Sequence, residues 1–370
     1  MKKVLITFGT RPEAIKMAPI YNKFKNCNSF ETKVCVTAQH REMLDQVLSF
    51  FKIKPDYDLD LMKKNQDIYN LTSEIILHFK NIMIEYDPDY VFIHGDTTTT
   101  MACGIVAYYS KSTICHIEAG LRSFNKYSPF PEEINRSVVT KLADYHFAPT
   151  EEAKTNLLNE NISEETILVT GNTVIDSLLY SISKVDCNNN EIQMLNKKID
   201  GKKHIILVTG HRRENFGKGF ENICKAIKHI ATMPNIQVIY PVHLNPNVKE
   251  YVYNSLSEIN NILLIEPLTY EAFIWLMNKS KLILTDSGGV QEEAPSLGKP
   301  VLVMRDNTER PEAIKAGTVK LVGTNYEKII NEVRLLLDNS ILYNQMSNKN
   351  NPYGNGTAAN KILDFMLNNN

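Results

Sequence analysis

The 370-residue chain has one tryptophan, no long apolar run and no charge excess of either sign. Its 41 Lys plus Arg face 42 Asp plus Glu, and a net charge of −1 lacks the basic surplus of a nucleic-acid binder. No stretch approaches the roughly 20 apolar residues of a membrane-spanning helix. The apolar run behind Met1-Lys2-Lys3 is too short for a signal-peptide core. Six cysteines (27, 35, 103, 115, 187, 224) lie scattered with no C-x-x-C pair, which excludes a disulfide framework and a zinc-knuckle pattern. A reducing cytoplasm is expected, with Cys35 and Cys115 acting as small apolar fillers inside strands.

Several chemical signatures are absent as well. No G-x-G-x-x-G follows the first strand of either half, so no bound NAD is expected. Gly217-Lys218 is followed by Gly219, and Arg212 stands where a Walker A loop would begin with glycine. Thr285 occupies the first glycine position of a nucleophile elbow around Ser287. No His/Cys/Asp/Glu group has metal-ligand spacing, so neither a catalytic metal nor any cofactor is expected.

What is present is a regular alternation. Short apolar runs at 4–8, 33–37, 90–94, 113–117, 145–148 and 166–169 are followed by a second series at 204–209, 237–242, 261–265, 281–285, 300–304 and 319–322. Stretches of helical periodicity separate them. Continuous apolar strands joined by helices predict parallel sheets covered on both faces, here two doubly wound α/β domains. The most polar stretch, 186–203, is where a linker is expected. The Gly/Pro break at 352–356 precedes a last helix over 357–367.

Ligands of open parallel sheets collect beyond the carboxyl ends of the strands. There the chain places Gly9-Thr10-Arg11-Pro12-Glu13, Gly95-Asp96-Thr97, Glu118-Ala119-Gly120-Leu121-Arg122, Gly210-His211-Arg212-Arg213-Glu214, Asp286-Ser287-Gly288-Gly289 and Arg305 through Glu312. Only nine basic residues are arginine, and seven of them (11, 122, 136, 212, 213, 305, 310) fall in or beside these segments. Arginine suits bidentate contact with phosphate, so a pocket for an anionic ligand is expected. The glycines after Ser287 permit close backbone approach where a helix begins, which fits a diphosphate. Asp96, Glu118 and one of Glu132/Glu133 are candidate acid–base groups, and His211 a candidate for leaving-group stabilisation. Blander roles compete: Asp96 as a helix N-cap, Glu132 and Arg136 as an i,i+4 ion pair, His94 and His116 as satisfied core histidines.

Taken together, Phe8-Gly9-Thr10-Arg11-Pro12-Glu13-Ala14-Ile15-Lys16, Thr37-Ala38-Gln39-His40-Arg41, His94-Gly95-Asp96-Thr97, His116-Ile117-Glu118-Ala119-Gly120-Leu121-Arg122, Pro129-Phe130-Pro131-Glu132-Glu133-Ile134-Asn135-Arg136, Thr209-Gly210-His211-Arg212-Arg213-Glu214, Asp286-Ser287-Gly288-Gly289 and Glu309-Arg310-Pro311-Glu312-Ala313 resemble the non-hydrolysing bacterial UDP-N-acetylglucosamine 2-epimerases. The resemblance runs from residue 4 to about residue 360.

It implies the glycosyltransferase-B arrangement, two Rossmann-like domains facing across a cleft. It divides the chain into 1–170 with the terminal helix 357–370, and 171–356. A cytoplasmic homodimer is implied. The implied substrates are UDP-N-acetylglucosamine and UDP-N-acetylmannosamine, interconverted at C2 by loss and re-addition of UDP. Ser287, Gly288, Gly289, Glu293 and Arg310 would hold the diphosphate nucleotide, helped by Arg11, Lys16 and Arg136. Asp96, Glu118 and Glu132 match the family's catalytic acids and His211 its diphosphate-side histidine. Gln39, His40, Arg212 and His243 resemble parts of a second, substrate-activated site, although Glu42 stands where several regulated members carry Gln.

Overall fold

The computed structural model describes residues 1–38, 41–61, 66–210, 212 and 215–369. The chain forms two compact units, Met1–Ser177 with Tyr353–Asn370, and Leu178–Pro352. Each is a parallel sheet interleaved with helices.

The first sheet contains β1 (Lys2–Phe8), β2 (Phe30–Val36), β3 (Tyr57–Asp58), β4 (Tyr90–His94), β5 (Thr113–Ile117), β6 (Tyr145–Ala148) and β7 (Ile167–Val169). Their order is β3-β2-β1-β4-β5-β6-β7, every neighbouring pair parallel. The second contains β8 (His204–Thr209), β9 (Ile236–Pro241), β10 (Ile262–Ile265), β11 (Leu282–Thr285), β12 (Val301–Val303) and β13 (Val319–Leu321), ordered β10-β9-β8-β11-β12-β13. In both sheets the order reverses beside the first strand of the unit, between β1 and β4 and between β8 and β11. Those are the switch points where open α/β sheets bind ligands. The expected doubly wound class is therefore what the chain adopts. The two-residue strand β3 has no counterpart in the sequence pattern because it is too short to show one.

The cores follow from the strand composition. In the first unit Leu5, Cys35, Val91, Ile93 and Ile114 pack against Ile75, Phe79, Ile82 and Met83 of the helix Ile68–Tyr86. In the second, Ile206, Val208, Val238 and Leu284 meet Phe220, Ile223, Ile227 and Ile230 of the helix Lys218–Ile230. Each fully buried side chain of this size contributes roughly 1.5–3 kcal/mol. The terminal helix Ala358–Asn368 belongs to the first unit. Asp176 accepts the N–H groups of Ala358 and Ala359 at 3.2 and 2.9 Å, and Phe365 sets its ring edge-on to Tyr145 and Phe147. Met366 Sδ lies 3.9 Å from the Cys115 thiol, so that cysteine is indeed a core filler.

The polar stretch at 186–203 is not a linker. Asn189 caps a helix, Asn190–Lys198, that buries Ile192 and Leu195, and the unit boundary falls instead inside the helix Thr173–Lys184. Polarity misled there because this helix is short and buries only two side chains. Among the described residues no helix is long and apolar enough to cross a membrane.

Candidate functional site

In the first unit the chemistry gathers beyond β1, β4, β5 and β7. Thr10 caps the helix Arg11–Lys25 in a reciprocal capping box with Glu13. The buried Glu13 carboxylate accepts Gly9 N–H at 3.0 Å and Thr10 N–H at 2.7 Å with one oxygen, and the hydroxyls of Thr97 and Thr100 at 2.7 and 3.2 Å with the other. It locks the loop after β1 to the loop after β4. Thr97, not Asp96, is the N-cap of the helix Thr98–Tyr109, which leaves the Asp96 side chain to other work. That carboxylate is bound by Arg136 Nη2, and Asn135 Nδ2 donates to the Asp96 carbonyl at 2.9 Å.

The pair Glu132/Glu133, left open by sequence, is separated by its surroundings. Glu133 is buried and accepts Ser123 N–H at 3.0 Å, Phe124 N–H at 2.9 Å and Arg136 Nη1 at 3.1 Å. It holds the 123–124 turn. Glu132, at the first position of the helix Glu132–Leu142, keeps Oε2 buried with no hydrogen-bond partner. The expected Glu132–Arg136 ion pair is not formed; Arg136 turns to Asp96 and Glu133.

Glu118 follows β5 with a left-handed backbone, φ 62°. Its Oε2 takes hydrogen bonds from Lys16 Nζ and, at 2.7 Å, from Asn172 Nδ2; His94 Nε2 stands 3.7 Å away. Burial alone would push this carboxyl up, but the Lys16 ammonium and His94 hold it well below the ordinary carboxylate range. His116 is buried in the core and only half satisfied: Nε2 meets Gly95 O at 2.8 Å, Nδ1 has no hydrogen-bond partner, and burial pushes its pKa down to about 3. In His94 neither ring nitrogen has a hydrogen-bond partner. Arg11 opens its helix half-buried.

In the second unit Asp286 is fully buried behind β11, where Oδ2 accepts Arg212 N–H at 2.8 Å. Ser287 precedes the short helix Gly288–Glu293 without using its side chain as a cap. A Cβ on Gly288 would sit 3.2 Å from the Arg310 guanidinium carbon, so glycine is what lets Arg310 lie flat against the turn. At Gly289 a Cβ would meet nothing nearer than Ser287 Oγ, 4.0 Å away, and the backbone there is open to a ligand. Arg310 donates Nε to Glu292 Oε1 at 2.8 Å. Glu293 is buried in the same turn. His243 is exposed beyond β9, where Nδ1 accepts Asn245 N–H at 3.0 Å.

Two of the seven arginines are structural. Arg122, buried, spends Nε and Nη2 on both oxygens of Glu160 (2.6 and 2.9 Å), with further bonds to Leu121 O and Thr140 Oγ1. Arg305 forms a bidentate pair with Glu309 at 2.8 and 3.1 Å. His211, Gln39, His40 and Arg213 lie outside the described residues. Among the described residues no group of His, Cys, Asp or Glu side chains converges as a metal site.

A family model described as UDP-N-acetylglucosamine 2-epimerase matches residues 22–367. The chain belongs to that family. It is 55% identical over 371 residues to the UDP-N-acetylglucosamine 2-epimerase of Escherichia coli (strain K12), covering 99% of both chains. The crystal structure of the Neisseria meningitidis UDP-GlcNAc 2-epimerase bound to UDP-GlcNAc is similar at 51% identity and TM-score 0.91, over 99% of this chain and 100% of that one. The Methanocaldococcus jannaschii enzyme, solved with UDP-GlcNAc and UDP, is similar at 35% identity and TM-score 0.82 over the whole of both chains.

Within this epimerase family framework, sequence reasoning missed Asn172 and underrated His94. Asn172 comes just after β7, so the strand-end rule extended to that strand would have found it.

Proposed function

We propose that the chain interconverts UDP-N-acetylglucosamine and UDP-N-acetylmannosamine through an eliminated intermediate, and that its product supplies N-acetylmannosamine units to surface polysaccharide. The C2 hydrogen of the sugar is hardly acidic because no carbonyl adjoins it. Breaking the C1–O bond sends its electron pair to UDP and builds positive charge at C1. A carboxylate then takes the C2 proton, and the C–H electrons form the C1=C2 bond of 2-acetamidoglucal. Return of a proton to the opposite face of C2, with UDP oxygen adding back at C1, gives the epimer.

The observation that carries this reading is the set of three differently held acids beside β4, β5 and the helix Glu132–Leu142. Glu118, kept ionised by Lys16 and His94, is a weak base and suits stabilisation of the cationic C1. Asp96, carried by Arg136, and Glu132, with a buried oxygen unsatisfied, are the proton-transfer pair. Ser287, Gly288, Gly289, Glu293 and Arg310 bind UDP, with cationic help from Arg11, Lys16 and Arg136. His211 steadies the departing diphosphate, and Gln39, His40, Arg212 and His243 form a second, activating substrate site. The working form is a homodimer in the cytoplasm.

The test is incubation of UDP-N-acetylglucosamine with the protein in deuterated water and no acceptor. The expected result is deuterium at C2 and a stable mixture with the manno epimer. Epimerisation without solvent deuterium, or steady release of UDP with free sugar, overturns the reading.

A further inference from the structure

We propose that Asn172 is a positioning residue for Glu118, tying that carboxylate to the segment on which the chain returns to its first unit. The inference rests on the reading of Glu118 as the carboxylate that stabilises the cationic C1.

Asn172 is buried and is held through both its backbone and its side chain. Its backbone N–H donates to Tyr353 O at 2.7 Å, its Oδ1 accepts Val174 N–H at 3.0 Å, and its Nδ2 donates to Glu118 Oε2 at 2.7 Å. The bond to Val174 settles which way the amide points, because only the oxygen can accept that N–H. The NH₂ group is thereby aimed at Glu118.

The seat of Asn172 is itself tightly defined. Gly171 has φ +90°, and a Cβ there would come within 3.0 Å of Tyr353 O. Tyr353 is buried and opens the returning segment, Tyr353–Asn370. Glu118, by contrast, lies beyond the end of β5 with a left-handed backbone, so strand geometry does not fix its side chain. Its partners do. Lys16, His94 and Asn172 all address the same oxygen, Oε2, which leaves Oε1 to face the reacting sugar. Of the three, only Asn172 is uncharged at every pH, and its backbone N–H is tied to Tyr353 O. A carboxylate displaced by about 1 Å from its working position loses rate by up to about a hundredfold.

Asn172→Asp separates positioning from support. The substitution keeps an oxygen for Val174 N–H and leaves the backbone bond to Tyr353 intact, but it replaces the donor facing Glu118 with a second carboxylate. The expected result is a kcat lower by at least about tenfold, with deuterium incorporation at C2 slowed in step. KM for UDP-N-acetylglucosamine stays close to that of the parent, while the melting temperature falls because a second carboxylate is buried beside Glu118. Should the aspartate variant not fold, Asn172→Ala, which adds no charge, is read in the same way. Either folded variant turning over at the parental rate overturns the inference, and so does a loss confined to KM. Glu118→Gln is the control. If it epimerises normally, the role of Glu118 falls and this inference with it; if it is inactive while Asn172→Asp is fully active, this inference alone falls.

Discussion

Arg136 binds the carboxylate of Asp96, 40 residues earlier in the chain, and leaves Glu132 of its own helix with a buried, unpartnered Oε2. One arginine thus distinguishes how three neighbouring acids are held. It orients Asp96, shares Glu133 with two backbone N–H groups, and keeps its charge away from Glu132.

Asp96 and Glu132 should therefore behave alike and unlike their neighbour. Asp96→Asn and Glu132→Gln are expected to abolish C2 deuterium exchange, a loss of at least about a hundredfold. UDP affinity measured by calorimetry should change little. Equal losses of binding and exchange would mean that both acids serve the scaffold.

Glu133 carries the opposite expectation. Glu133→Ala strands the N–H groups of Ser123 and Phe124 and one Nη of Arg136, and should destabilise the protein by about 2 kcal/mol in urea titration. Glu132→Gln, by the same measurement, should leave stability within about 0.5 kcal/mol. A stable Glu133→Ala variant with ordinary urea sensitivity would remove the distinction.

These separations mark how far the residues alone could lead. The alternation of apolar runs with helical stretches gave twelve of the strands, since parallel strands buried on both faces are written as unbroken Val/Ile/Leu runs. The strand-end rule likewise led to Asp96, Glu118 and the Ser287–Gly289 turn, because backbone direction decides where those side chains emerge. Partners were not legible. Nothing in the spacing says that Arg122 belongs to Glu160 or Asn172 to Glu118, for each pair meets only after tertiary folding. Of the two carboxylates within one helical turn of Arg136, spacing does not say that Glu133 pairs with it and Glu132 does not.

Arg310 carries two expectations. It lies against Gly288 and pairs with the buried Glu292, so Arg310→Ala should weaken UDP binding and also cost about 2 kcal/mol of stability. Arg310→Lys should recover more of the stability than of the binding, because an ammonium restores the charge but not the planar fork. Calorimetry with UDP at fixed ionic strength, alongside urea titration, reads both. Unchanged UDP affinity in the alanine variant would leave Arg310 as a partner of Glu292 only.

His116 makes stability depend on pH in a window of its own. Burial pushes its folded pKa down to about 3, whereas the unfolded chain takes up the proton near 6.5. Between those values the unfolded state holds more protons, so the contribution is whole above about pH 6.5 and drains away as pH falls towards about 3. His146, also lowered by burial, acts in the same direction. Glu309, held at about 2 against its burial by Arg305 and Arg310, adds a similar loss only below about pH 4.5, whereas Asp176, raised by burial, acts in the opposite direction from about pH 3.8 upward. Between pH 7 and pH 5 every other group is common to the parent and a His116 variant, so a difference between the two reads His116. His116→Gln keeps a donor for Gly95 O and cannot titrate, so its urea midpoint should fall less across that interval than the parent's. An equal fall in both proteins would mean that His116 is not the group responsible.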